Sequence, residues 1–178
     1  MQTVCVQYYP SPCGRIVLGA VEEELCLCDW SGMPCAEKNM HRLRKILGAE
    51  FKEGTSPVLE KAKTELDEYF AGRRNSFDIP LRPVGTPFQI RVWNMLLEIP
   101  YGETKTYRQI ALLVDNPKGV RAVAQAIGSN ALSIFIPCHR VIGSDNSLTG
   151  FAGGLKAKTI LLEVEQSGMF IKNIKEGI

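Results

Sequence analysis

The sequence predicts two unlike halves: a small antiparallel sheet with helices, then a mostly helical part built round a helix-turn-helix. Three observations carry this prediction. Short β-branched and aromatic runs fill the first thirty residues, and apolar residues recur at helical spacing behind recognisable caps from residue 56 onward. Between the two, "NSFDIPLRPVGTP" (75–87) holds three prolines and a glycine and reads as a linker. A boundary near residue 83 follows, giving expected units of 1–83 and 84–178.

"TVCVQYY" (3–9) and "GRIVLGAV" (14–21) are the first two strands, and "SPCG" between them marks a hairpin turn. "LCLCDW" (25–30) is a third strand. "AEKNMHRLRKIL" (36–47) has helical spacing, with Met40, Leu43 and Leu47 on one side. "SPVLEKAKTELDEYFAG" (56–72) is a marked helix. Ser56 caps it, Pro57 suits its first turn, Leu59, Ala62, Leu66 and Phe70 form its stripe, and Gly72 ends it.

"TPFQIRVWNMLLEI" (86–99) starts from a Thr86 cap and repeats Phe88, Val92 and Leu96. "TYRQIALLV" (106–114), the turn "DNPKG" (115–119) and "VRAVAQAIGSN" (120–130) make the helix-turn-helix. "LKAKTILLEVEQSG" (155–168) is a last helix, stopped at Gly168.

Composition bounds the function. Hydrophobic content of 45% and charge of 22% are those of an ordinary globular chain. The net charge of +2 divides into −2 over residues 1–81 and +4 over residues 82–178, which permits contact with a polyanion without demanding it. The opening "MQTVCVQYYP" lacks a basic and then apolar leader, so no signal peptide is expected. The six cysteines are then expected to stay reduced, in the cytoplasm. No apolar run approaches the ~20 residues of a membrane span.

The chemistry centres on "IPCHRVIG" (136–143). An apolar segment and Pro137 deliver Cys138 to a turn. A thiol reacts as thiolate, and His139 and Arg140 are candidate groups to lower its pKa, with His139 also a proton acceptor near neutrality. Neighbours on an extended chain point to opposite faces, so a water or a special turn would have to link sulfur and imidazole.

That octapeptide, with "GSNAL" (128–132) upstream and "TGFAGGLKAKTILLEVE" (149–165) downstream, resembles the active-site region of the O6-alkylguanine-DNA alkyltransferases, the methylated-DNA–protein-cysteine methyltransferases. The resemblance runs from about Thr86 to about Glu165 and takes in "RVWNMLLEIPYGETKTYRQIA" and "NPKGVRAVAQAIGSN". It implies a ribonuclease H-like N-terminal domain, a winged-helix-like C-terminal domain, and a single-use repair reaction without cofactor or metal. Cys138 would take the alkyl group from O6-alkylguanine in double-stranded DNA, the protein acting as a monomer; activity on O4-alkylthymine is left open. His139 would act as base through a water, Glu165 would orient it, Asn130 would bond backbone near the site, and Tyr107 would assist the departing guanine or steer its phosphate. Arg121 would fill the gap left by a flipped nucleotide, on a helix whose small residues (Ala122, Ala124, Ala126, Gly128) approach the minor groove. Arg108, Asn116 and Ser144 would touch DNA backbone. Tyr107, Ser133, Phe151, Ala152 and Gly153 would wall the pocket. Phe151 stands where many relatives have Tyr, Ala152 where some have Ser, and Ser133 where some have Pro, so ring walls are kept while hydroxyls move.

Cys26 and Cys28, with Cys5, Cys13, Cys35 and His41 in the same half, lack the paired short spacing of a structural zinc site, and no metal is expected. A C-x-C on a strand should point both thiols to one face, as core cysteines do. His41 in "HRLRK" is expected in solvent. The alternative functions are a non-catalytic binder of alkylated DNA, disfavoured by the cysteine at 138, and a cysteine hydrolase, disfavoured by the helix-turn-helix.

Overall fold

The computed structural model describes residues 1–166; the predicted stop at Gly168 lies outside them. Four strands, β1 (Gln2–Ser11), β2 (Gly14–Val21), β3 (Glu24–Trp30) and β4 (Ala49–Glu53), form one sheet in the order β3-β2-β1-β4. The first three run antiparallel as expected, but β4 pairs parallel to β1, from Gln2 opposite Ala49 to Val6 opposite Glu53. The sheet is therefore mixed rather than antiparallel. "AEFKE" gives no strand signal because it is a short, charged edge with only Ala49 buried. It forms because helix α1 (Pro34–Leu47) ends at Gly48, whose φ of +58° turns the chain back along β1.

The two helices of this half cover opposite sheet faces. Leu43 of α1 packs with Val4, Val6, Val17, Val21 and Leu27. Leu59, Ala62 and Leu66 of α2 (Pro57–Phe70) pack with Ile16, Leu18, Ala20 and Leu25. Central strand β2 is buried on both sides, which explains its continuous apolar run. The caps behave as their residue types dictate: the Leu59 N–H donates to Ser56 Oγ at 3.2 Å, and Gly72 past the end of α2 has φ +73°.

One expectation about β3 fails. Ala20 pairs with Leu25 and Gly19 with Leu27, so Cys26 is the extra residue of a β-bulge. Cys26 joins the α1-side cluster and Cys28 the other, on opposite faces of the sheet rather than one.

The second half contains α3 (Pro87–Leu97), β5 (Lys105–Thr106), α4 (Tyr107–Leu113), α5 (Val120–Gly128), a 3-10 turn (Cys138–Arg140), β6 (Val141–Ile142) and α6 (Leu155–Gln166). Thr86 and Gln89 close a capping box on α3, and Thr106 and Gln109 close a second on α4. The predicted helix-turn-helix is α4 and α5, joined through Asp115 at φ +58° and an Asn116 N–H bonded to the Ala111 carbonyl at 2.8 Å.

Both halves share core. Residues of β2, β3, α2, α3, α4, α5 and α6 belong to one apolar cluster. The proline-rich segment lies along β3, with Ile79 and Val84 buried, the Leu25 N–H bonded to the Pro80 carbonyl and the Arg82 N–H to the Leu25 carbonyl (2.9 and 2.8 Å). Further along the same edge the Cys28 N–H donates to the Ala131 carbonyl at 2.7 Å, and the Ser133 N–H to the Cys28 carbonyl at 2.9 Å. From α1, Arg42 Nη2 reaches the Ser129 carbonyl at 2.7 Å, serving a carbonyl left over at the end of α5. Asn39 beside it donates to buried Asp29 at 2.7 Å. His41, as expected, is exposed. Among the described residues no helix is long and apolar enough to cross a membrane.

Candidate active site

Cys138 opens the 3-10 turn, after a segment pinned to the edge of β3 and before β6, which pairs with β5. The thiol is 5% exposed and lies on a cavity of about 800 Å³. Tyr107, Arg121, Ala124, Gly128, Asn130, Ser133, Ser144, Phe151 and Ala152 line it too. The structure thus gathers residues from five places in the sequence round one sulfur.

The turn answers the problem of adjacency. Because Cys138 and His139 are not extended, the imidazole is directed into the protein, fully buried, with Nε2 2.7 Å from Glu165 Oε1. Glu165 on α6 also accepts from Arg140 Nε and Nη2, each at 2.9 Å, from the Tyr69 hydroxyl at 2.8 Å and from the Gly102 N–H at 3.4 Å. Burial alone would raise its pKa, but the bonds and charges of His139 and Arg140 outweigh that and hold it at about 2. An ionised carboxylate only accepts, so Nε2 carries the proton of a neutral imidazole. Burial lowers the His139 pKa against the pull of Glu165, which agrees with the neutral form. Nδ1 is left with a free lone pair, buried and without a partner among the described residues.

The thiol does not match the expectation of a lowered pKa. Burial raises it; the Asn130 amide, the Lys158 charge and the Ser133 hydroxyl pull downward, and Asp29 adds to the rise. Arg140 gives no help, because its guanidinium is spent on Glu165 and on the Ile99 carbonyl at 2.6 Å. The resting group is a thiol beside an available base, not a standing thiolate.

Other predicted residues take defined places. Asn130 donates to the Ile136 carbonyl and accepts from the Leu132 N–H, both at 2.9 Å, and so braces the loop that leads to the cysteine. The Tyr107 hydroxyl donates to the Thr149 carbonyl at 3.1 Å. Arg108, Arg121, Ala122 and Ser144 are exposed and Asn116 half-buried on the helix-turn-helix side. Two assignments need correction. Ala126 is 3% exposed, its carbonyl accepts from Trp93 Nε1 at 2.8 Å, and it faces the core rather than a groove. Gly153 does not line the cavity. A Cβ there would lie 2.5 Å from the Trp30 ring, so this glycine makes room for an indole, and Gly150 lines the cavity instead.

Sequence reasoning missed several residues here. Trp30 donates to the Cys13 carbonyl at 3.0 Å and meets Phe151 edge-on at 5.1 Å, so the N-terminal sheet supports the pocket loop. Lys158, fully buried, donates to the Val141 carbonyl at 2.6 Å and the Thr149 carbonyl at 3.2 Å, and burial lowers its pKa to about 8. Cys35 in the first turn of α1 lines the same cavity as Cys138. Among the described residues no group of three or more His, Cys, Asp or Glu could hold a metal ion.

Comparison with known proteins decides the family. Residues 4–83 match the ribonuclease-like domain of 6-O-methylguanine DNA methyltransferase, and residues 87–167 match its DNA-binding domain. The methylated-DNA–protein-cysteine methyltransferase of Haemophilus influenzae is 42% identical over 93% of this chain and 88% of its own length. The chain belongs to the 6-O-methylguanine DNA methyltransferase family. Its fold agrees: the Mycobacterium tuberculosis O6-methylguanine methyltransferase superposes with a TM-score of 0.78 at 37% identity, covering 92% of this chain and 93% of that one. The mycobacterial protein solved in complex with DNA gives 0.77 at 36% identity, covering 93% of each. The ribonuclease-like and DNA-binding parts of the family are thus the sheet half and the helix-turn-helix half described above.

Proposed function

We propose that this protein repairs DNA directly, moving a methyl or other alkyl group from O6-alkylguanine in duplex DNA onto its own Cys138. The carrying observation is Cys138 on the cavity, followed in the chain by a buried neutral His139 whose Nδ1 has no partner among the described residues and whose Nε2 is held by an ionised Glu165 fixed by three side chains. In the reaction His139 Nδ1 takes the thiol proton, directly or through one water. The sulfur attacks the alkyl carbon, the carbon–O6 bond breaks, and its electron pair stays on guanine. The imidazolium is stabilised by Glu165 while it exists. Guanine then takes a proton from the Tyr107 hydroxyl beside the cavity, and the proton held on His139 returns to Tyr107 through solvent, so that neither residue keeps a charge. Atoms and charge balance with thiol and alkyl ether alone, so no cofactor enters.

The product is a thioether that no group beside it among the described residues is placed to cleave, and each molecule acts once. The lesion reaches the sulfur by leaving the stack, at a cost of a few kcal/mol. Arg121 at the start of α5 is placed to fill the gap, with Ala122 and Gly128 exposed on the same helix for close approach to DNA. Arg108, Asn116 and Ser144 are assigned to the phosphates. We take the working units to be 1–83 and 84–178 and the acting species to be a monomer.

The test is the intact mass of the protein after mixing with an oligonucleotide carrying one O6-methylguanine. One added methyl group on Cys138, absent in Cys138→Ser, is the expected result. Turnover of more than one equivalent, or loss of the lesion from an unmodified protein, overturns the proposal; binding without transfer assigns the protein to the non-catalytic class.

A further inference from the structure

Ser133 was expected only as a pocket wall, yet its surroundings set it apart. Its Oγ is fully buried, lies on the cavity that holds the sulfur, and has no hydrogen-bond partner among the described residues. Buried hydroxyls are nearly always satisfied, and an orphan costs stability. The backbone here is also costly. The next residue, Ile134, is β-branched and buried, yet has φ +74°, in the left-handed region that such residues avoid. The Ile136 N–H bonded back to the Leu132 carbonyl at 2.8 Å holds that turn, and the Ser133 N–H bonded to the Cys28 carbonyl at 2.9 Å anchors its start. A strained turn therefore presents a hydroxyl with no partner among the described residues, on the same cavity as the protein group that gains an acceptor charge when the thiol is deprotonated.

We propose that Ser133 is a further catalytic residue, whose hydroxyl finds its partner when Cys138 ionises and holds the thiolate in the cavity. This rests on Cys138 being the alkyl acceptor. The other donors facing the sulfur are partly engaged. Lys158 of α6 gives two of its three N–H groups to carbonyls. Asn130 gives one of its two amide N–H groups to the Ile136 carbonyl, and it too pulls the thiol downward. Asp29 of β3 opposes ionisation, and Tyr107 of α4 bonds the Thr149 carbonyl. His139 bears the proton that the sulfur loses. The Ser133 hydroxyl is the donor with no prior engagement, in agreement with its downward pull on the thiol.

A donor to the thiolate acts in two opposed ways. It enlarges the ionised fraction, and it weakens the nucleophile with a Brønsted coefficient of about 0.4–0.5. A hydrogen bond to a charge shifts the thiol by roughly one pH unit, so below the inflection the gain is about threefold and above it the donor slows reaction by about threefold.

The experiment measures Cys138 alkylation by iodoacetamide against pH, read on the Cys138 peptide by mass spectrometry, in the full chain and in Ser133→Ala. The variant's inflection should lie roughly one pH unit higher, with about threefold slower reaction at neutral pH and a faster plateau in alkali. Ser133→Gly should reproduce this and Ser133→Thr should keep the original inflection. Methyl transfer from the oligonucleotide at neutral pH should slow by about the same threefold. An unchanged inflection, or an equal loss at every pH, overturns the role of Ser133. If Cys138 takes no methyl group from the oligonucleotide in the unaltered protein, it is the repair reading that fails instead.

Discussion

The two ends of the buried network are built on opposite rules. At one end Glu165 accepts from His139, Arg140 and Tyr69 at 2.7–2.9 Å, and its charge is fully matched. At the other end two buried polar atoms, His139 Nδ1 in the residue after the cysteine and Ser133 Oγ on the cavity, have no partner among the described residues. A saturated end cannot respond to substrate and serves to fix geometry. An unsatisfied end is where proton and charge can arrive. The difference shows how one small site can be rigid and reactive: the orienting half is over-bonded so that the reacting half can be left waiting.

Substitution can break this contrast at its strongest point. Glu165→Gln removes the charge that fixes the His139 tautomer and leaves the Arg140 guanidinium buried without its counter-ion. Transfer should fall by roughly 10²–10⁴-fold in single-turnover assays, with about 3–5 kcal/mol lost in urea unfolding. The same carboxylate sets an acid limit. Its folded pKa of about 2 lies below the unfolded value, so its stabilisation is present above the unfolded pKa and is lost as pH falls from about 5 towards 2. On the order of 3 kcal/mol should disappear over that window in the unaltered protein, and little of it in Glu165→Gln. A flat acid response in the unaltered chain contradicts the charge assignment.

Support for the pocket from outside the network is tested by Trp30→Ala. It should cost about 3–5 kcal/mol and slow transfer from bulky alkyl groups more than from methyl, since Phe151 loses its backing. Equal slowing for both would place Trp30 in stability alone. On the open side Arg121→Ala should leave melting unchanged and reduce transfer from duplex DNA by about tenfold, while reaction with free O6-alkylguanine base stays the same. Tyr69→Phe sharpens the contrast most gently. Glu165 keeps its other partners, so about 1 kcal/mol of stability should go and most of the transfer rate remain.

What the sequence made legible follows from how local each signal is. Ser56, Thr86 and their prolines act within one turn, and the helices they start appear where expected. Cys138, His139 and Glu165 were found through a shared motif, and the structure brings them together. The missed features depend on distant chain. Strand β4 exists only because β1 offers an edge to "AEFKE". The bulge at Cys26 is a matter of register with β2, which no spacing in β3 alone reveals. Arg140 stood next to the cysteine and was credited with lowering its pKa, but the turn sends it to a carboxylate 25 residues away. Trp30 and Gly153 explain each other only once the two halves are packed.

The sealed outer edge of β3 bears on truncation. Pro80 and Arg82 cover its first part, but Ala131 and Ser133 cover the part around Cys28. A fragment cut after residue 83 keeps the first cover and loses the second, leaving a bare ladder of amide groups ready to recruit a second chain. Two recognisable modules in the sequence therefore do not make two independent folding units: the whole chain should melt in one cooperative step, and the isolated N-terminal piece should self-associate.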